Sequence, residues 1–211
     1  MNVLKGKRLC FLGSSVTYGE AAMGFSFADF IAARNGCSYV KEAVSGTTLA
    51  DVYEDSYVDR MVKNIDPSDH FDAFICQLST NDASEHIPLG KISSSKRLED
   101  FDTATVIGAI EYIICYALAT WKCPVIFYTG TRFANKQYDK MVELLYELQK
   151  KWDIKIIDLW NNEVMNAVSR RDYRLYMADE IHPTRAGYLK WWTPVIEQEL
   201  YKIFSDCSVA E

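Results

Sequence analysis

Five short apolar runs, each followed by a longer segment, constrain this chain more than any other feature. The runs cover residues 8–12, 37–44, 71–78, 124–129 and 154–159. Between them the spacing predicts helices over 25–34, stopped by Asn35-Gly36, and over 50–64, ending before Pro67. A third is capped by Asp102 or Thr103 and runs to about Trp121. The clearest spans 136–152, where Tyr138, Met141, Val142, Leu145, Leu148 and Trp152 recur at helical spacing and form one stripe. A last helix is expected over 186–204, bent by Pro194. Residues 83–100 read as a long loop. Alternation of this kind gives an α/β fold: a parallel sheet with helices on both faces. Continuous apolar strands such as 74–78 suit a sheet buried on both sides. Such sheets carry their sites at the carboxyl ends of the strands, which here means 13–19, 45–48, 79–82 and 129–133.

The chain has 211 residues, the size of one ordinary domain, expected to span 1–211. A formal net charge of −6 makes nucleic acid and anionic lipid poor partners. The most apolar later stretch, 106–118, is interrupted by Glu111 and falls short of the roughly 20 residues a bilayer requires. The N-terminus lacks the apolar core of a signal peptide, so a cytoplasmic location is expected. Six cysteines are present, none in a C-x-x-C pair. Reduced, mostly buried thiols are therefore expected, with no metal and no cofactor.

Three of these strand ends hold an unusual set of small polar residues. They read Gly13-Ser14-Ser15, then Ser45-Gly46-Thr47-Thr48, then Ser79-Thr80-Asn81-Asp82; Asp179-Glu180-Ile181-His182 precedes the last helix. A serine hydroxyl needs a base within hydrogen-bond reach, and the base needs an orienting group. His182 is one of three histidines, and Asp179, three residues earlier, can share one tight turn with it. An acyl-transfer site also needs donors for a developing oxyanion. Ser15 N–H, Gly46 N–H and the Asn81 side-chain amide can supply them. Singly, each residue has an ordinary reading: Ser15 as a helix cap, Gly46 as a turn, His182 as a loop histidine. The joint pattern at successive strand ends carries the argument. Ser15 does not lie in a G-x-S-x-G elbow.

In these blocks the sequence resembles the SGNH/GDSL hydrolases, whose Gly-Asp-Ser, Gly, Gly-x-Asn-Asp and Asp-x-x-His blocks occur in the same order. The resemblance runs over residues 8–188. It implies a three-layer αβα sandwich with a five-stranded parallel sheet of order 2-1-3-4-5. It also implies ester hydrolysis with Ser15 as nucleophile, His182 as base, Asp179 as its orienter, and Ser15, Gly46 and Asn81 forming the oxyanion hole. Two positions depart from the pattern. Ser14 stands where the family has Asp, and can keep a loop hydrogen bond. Ser79 stands where the family has Gly, so the turn there needs no positive φ.

The expected activity is hydrolysis of a small carboxylic ester, such as an acetyl ester of a carbohydrate, through an acyl-enzyme. Longer acyl chains, as in lipases or thioesterases, are the alternative. The long loop 83–100 and the segment 129–135 are expected to wall the pocket. Tyr18 and Arg132 follow strand ends and are candidates for substrate contact; His86 is a weaker one. A third reading comes from another class. Residues 13–22 loosely resemble the phosphate loop of flavodoxins, which suits a flavin or phosphate. That reading leaves Asn81, Asp179 and His182 without a role.

Overall fold

The structure, a computed structural model, describes residues 2–207. Five parallel strands, β1 (Arg8–Gly13), β2 (Ser38–Ala43), β3 (Ala73–Gln77), β4 (Val125–Tyr128) and β5 (Ile154–Ile157), form one sheet in the order β2-β1-β3-β4-β5. β2, β4 and β5 are each two residues shorter than their apolar runs and β3 three, while β1 extends one residue further, to Gly13. Side chains alternate across the pleat. Leu9, Phe11, Ile75, Ile126 and Tyr128 pack on one face, and Cys10, Leu12, Phe74, Cys76 and Phe127 on the other. The first face is covered by α2 (Phe27–Asn35) and the closing helix, the second by α3 (Tyr57–Asn64), α5 (Val106–Thr120) and α6 (Lys136–Lys151). This is the three-layer sandwich expected. Two single-turn helices follow strand ends: α1 (Ser15–Tyr18) after β1 and α4 (Thr80–Ser84) after β3.

Helix starts follow side-chain chemistry. Ser26 and Asp29 form a reciprocal capping box on α2, which ends at Gly36 with φ +68°. The Thr105 hydroxyl accepts from Gly108 N and starts α5, where Asp102 or Thr103 was expected. Asp102 instead builds the preceding turn, its carbonyl accepting from Thr105 N. The helix expected over 50–64 begins only at Tyr57. Its first residues are not helical: Asp55 sits at φ +61°, off the helical path, and the Ser56 hydroxyl accepts from Asp59 N to cap a new start.

After β5 come two short helices the sequence reading missed, α7 (Glu163–Asn166) and α8 (Arg170–Tyr176). The closing helix has three parts: α9 (Arg185–Gly187), a π-turn over Tyr188–Trp192, and α10 (Thr193–Cys207). The bend expected at Pro194 is met by that π-turn. Thr193 N–H reaches back five residues to Tyr188 O, and the wider turn makes room for a ring that cannot donate.

The long loop after α4 is divided: its first part is held at the carboxyl edge, where Gln137 at the start of α6 donates to Ile87 O (2.7 Å), while residues 93–95 are held elsewhere. Helix α6 leaves that edge and runs back antiparallel to the strands, so its last residue, Lys151, lies at the opposite edge. Lys151 donates to the Ser93 and Ser95 carbonyls and pairs with the buried Glu111 carboxylate, which also accepts from Ser93 N. These bonds draw residues 93–95 away from the strand ends that carry the site.

Cys10, Cys76 and Cys123 are buried free thiols; Cys37 and Cys115 are half-buried. The Cys207 side chain lies outside the described residues. Among the described residues no helix is long and apolar enough to cross a membrane.

Asp29 ties β2 to α2. Burial alone would raise its pKa, but bonds from Lys41 Nζ (2.6 Å), Ser26 N (2.8 Å) and Tyr39 Oη (2.7 Å) outweigh that and hold it below the usual range. A carboxyl whose folded pKa is depressed stabilises the fold above its unfolded value, near 4. That contribution is lost as pH falls from there through the depressed value. Thermal melts between pH 6 and 3 should show a decline in Tm that Asp29→Asn makes shallower, its own Tm being lower at pH 6. An unchanged slope would remove Asp29 from the acid response.

Candidate active site

Strand β1 ends at Gly13, where a Cβ would lie 1.7 Å from Thr17 Oγ1 and 2.8 Å from Gln77 Oε1, so the close approach there needs glycine. The buried Gln77 Oε1 accepts from Ser14 N (3.0 Å) and Thr17 Oγ1 (2.8 Å), and Thr17 Oγ1 lies 2.6 Å from Tyr128 Oη. The bond to Gln77 is made by the Ser14 main-chain N–H and not by its side chain, from which a loop hydrogen bond was expected. This network anchors α1, which opens with Ser15, only 5% exposed.

The candidate base, His182, comes from the loop between α8 and α9. That loop is pinched at its foot by Thr184 N onto Tyr176 O (2.7 Å) and by a bridge between Met177 and Pro183. Ser15 Oγ and His182 Nε2 are 2.8 Å apart, and His182 Nδ1 is 2.7 Å from Asp179 Oδ2. The other Asp179 oxygen accepts from the main-chain N–H of Ile181 and of His182, both at 2.7 Å. Burial works to raise the Asp179 pKa; the bonds from the His182 ring and from the His182 and Ile181 amides more than reverse it. The carboxylate is therefore ionised and can only accept, which puts the ring proton on Nδ1 and leaves Nε2 to take a proton from Ser15. Tyr188 Oη donates to Val16 O (2.8 Å) and links the helix after His182 to the one that begins with Ser15.

Gly46 sits on an exposed turn after β2 with φ +79° and open space around its Cα, so backbone conformation rather than crowding favours glycine. Asn81 Nδ2 donates to Thr47 O (2.7 Å), spending one of its two N–H bonds on the residue after Gly46. The neighbouring Asp82 is fully buried and accepts from Leu49 N (2.7 Å) and Ala50 N (2.9 Å). Desolvation pushes its pKa up even against these bonds. Asn81 and Asp82 together thus brace the whole turn from 47 to 50. Ser79 has φ −69° and its hydroxyl caps α4, as the absence of glycine implied.

The remaining candidates have other partners. Arg132 Nε donates to Trp160 O (3.0 Å) and its N–H to Asn166 Oδ1 (2.9 Å), so it ties two loops together. Tyr18 lies beneath Lys41 Nζ, and His86 shares a bond with Gln137 Oε1 (3.2 Å). Among the described residues no group of three His, Cys, Asp or Glu side chains is placed to hold a metal ion. Sequence reasoning missed Arg60, Gln77 and the bracing role of Asp82. An uncommon buried-polar residue at the end of an apolar run was the available signal for Gln77.

Fold and site chemistry define a hydrolase acting on ester bonds, carried on an αβα sandwich. Residues 11–190 match the GDSL-like lipase/acylhydrolase family, and the chain belongs to that family. A search of curated proteins gives no significant match. Solved structures of similar fold include one from Lactobacillus plantarum (19% identity, 96% of this chain and 98% of that one, TM-score 0.75). Another is a G-D-S-L family protein from Desulfitobacterium hafniense (14% identity, 92% and 99%, TM-score 0.65). A third is a family two carbohydrate esterase from Clostridium thermocellum (14% identity, 93% and 63%, TM-score 0.64).

Proposed function

We propose that this protein is a serine esterase that cleaves a small carboxylic ester through an acyl-enzyme on Ser15. The observation that carries the reading is the continuous relay from Ser15 Oγ through His182 to Asp179, with both links under 3 Å. Ser15 Oγ attacks the ester carbonyl carbon while His182 Nε2 takes its proton, and Asp179 stabilises the imidazolium. The carbonyl oxygen, now an oxyanion, is met by Ser15 N–H, Gly46 N–H and the second N–H of Asn81. Collapse expels the alcohol, which leaves with the proton from His182. Water then repeats the sequence on the acyl-enzyme and releases the acid.

For the substrate, we favour an acetyl ester of a carbohydrate. The likeness to a carbohydrate esterase supports this, as do the polar groups beside Gly46, where the exposed Ser45 hydroxyl bonds to Glu20 (2.5 Å). The test is a chain-length series of p-nitrophenyl acetate, butyrate and octanoate beside an acetylated oligosaccharide. Acetate should be turned over fastest, and acetate should be released from the sugar. A rate rising toward octanoate would replace this reading by a lipase-like one. Labelling by a fluorophosphonate, mapped by mass spectrometry, should fall on Ser15; labelling at another serine would overturn the mechanism.

A further inference from the structure

Arg60 lies in α3, away from every motif, yet it is 1% exposed. A buried guanidinium is costly unless its donors are used. Here they are spent on the strand ends around the site. Nη1 pairs with Glu42 at the end of β2 (3.0 Å), and Nε donates to Asp55 O (2.8 Å). Nη2 donates both to Gly13 O (2.8 Å), two residues before Ser15, and to Thr47 Oγ1 (3.0 Å), the residue after Gly46. One nitrogen therefore sets the distance between the strand end that presents Ser15 and the turn that presents Gly46 N–H.

The turn needs such a hold. Gly46 is exposed, and nothing packs where its Cβ would be. Asn81 grips Thr47 from its carbonyl side. Arg60 grips the same residue from its side chain. The rigid planar fork can bridge two acceptors in fixed geometry, which a lysine ammonium on a flexible stem cannot reproduce.

We propose that Arg60 is a positioning residue for the oxyanion hole, locking the Gly46 turn against the Ser15 strand end. The inference rests on the serine-esterase reading above. Arg60 touches no reacting atom, so its loss should appear in kcat and not in KM.

The experiment compares wild type with Arg60→Met, Arg60→Lys and Thr47→Val on p-nitrophenyl acetate, with rates normalised to the folded fraction. Displacing a catalytic group by about 1 Å costs on the order of 10²-fold, and Arg60→Met should lose about that in kcat with KM changed less than about threefold. Arg60→Lys should recover part of the loss. Thr47→Val removes one hydroxyl and keeps the shape, so it tests the link even if Arg60→Met does not fold. It should lower both kcat and the fluorophosphonate labelling rate by about five- to tenfold, within the loss expected for a misplaced donor. Wild-type kcat and labelling rate in Thr47→Val, or an effect confined to KM, would overturn the proposal. Ser15→Ala in parallel separates the two levels: if it is as active as wild type, the esterase mechanism itself has failed.

Discussion

Ser15→Ala should fold like the wild type and lose about 10⁴-fold or more in kcat on p-nitrophenyl acetate. The serine is small, and its hydroxyl bonds to His182 Nε2 at one end of a relay that Asp179 closes at the other. Removing one oxygen leaves the α1 anchor intact, since Gln77 is bonded to Ser14 N and Thr17 and not to Ser15. Melting temperature should therefore move little while the nucleophile is gone. His182→Ala should cost a similar amount, and the double variant little more, because the two act as one unit. Circular dichroism melts beside turnover rates check both halves. Retention of most of the activity by either single variant would move the chemistry to another part of the molecule.

The second large effect is expected at a residue that touches no substrate. A methyl on Gly187 would lie 2.1 Å from Tyr176 O and 2.9 Å from Tyr176 C. Those are backbone atoms and cannot rotate away. Tyr176 and Gly187 flank the loop that carries Asp179 and His182, and Tyr176 O also accepts from Thr184 N at its foot. Gly187→Ala should therefore cost about 1–3 kcal/mol of stability, the usual range for overpacking. It should also shift His182 from Ser15, with a loss of about 10²-fold in kcat. Gly36→Ala is the matched control. Its φ of +68° makes a side chain strained, but nothing lies within 4 Å of the added carbon and the site is remote. It should lose about 1 kcal/mol, the cost of a left-handed L-residue, and keep its kcat. Equal kinetics in the two variants would show that the 176–187 crossing does not position His182.

Much of this could be read from the residues alone because the fold obliges it. Strands buried on both faces must be continuously apolar, and the stripe from Tyr138 to Leu148 does face the core. Ser15, Asp179 and His182 could be singled out because a serine nucleophile calls for a base and the base for an orienter, and the structure brings these three side chains within hydrogen-bond reach of one another. The unreadable parts depend on partners far away in sequence. Arg60 lies in a segment, YVDRMVKN, where an arginine normally marks a solvated helix face. Its burial follows from acceptors on Gly13, Glu42 and Thr47, which no local pattern reveals. The start of α3 failed for another reason: the left-handed Asp55, just ahead of the Ser56 cap, breaks the helical path at a residue type that does not announce it. The path of residues 93–95 rests on the buried Glu111 and the half-buried Lys151, 40 residues apart. Helices α7 and α8 are single turns or little more, too short for any period to show.

The π-turn over Tyr188–Trp192 makes the closing helix sensitive to length in an unusual way. Each residue of an α-helix advances about 100° around its axis. Upstream of the turn, Gly187 and Tyr188 face Tyr176 and Val16. Downstream, Ile196 and Leu200 face the sheet. The wide turn is the phase offset that lets both hold. Deleting one residue between 188 and 192 would let Tyr188 O accept from the residue four positions on, as in an ordinary α-turn, and both flanking faces would keep their orientation. One further residue inserted there has no such outlet and would rotate one side against the other by that angle: either the apolar stripe of α10 would swing off the sheet, or the segment leading back to His182 would turn away from Ser15. A substitution in this stretch perturbs one contact, whereas an added residue there sets the packing of the last layer against the alignment of the relay.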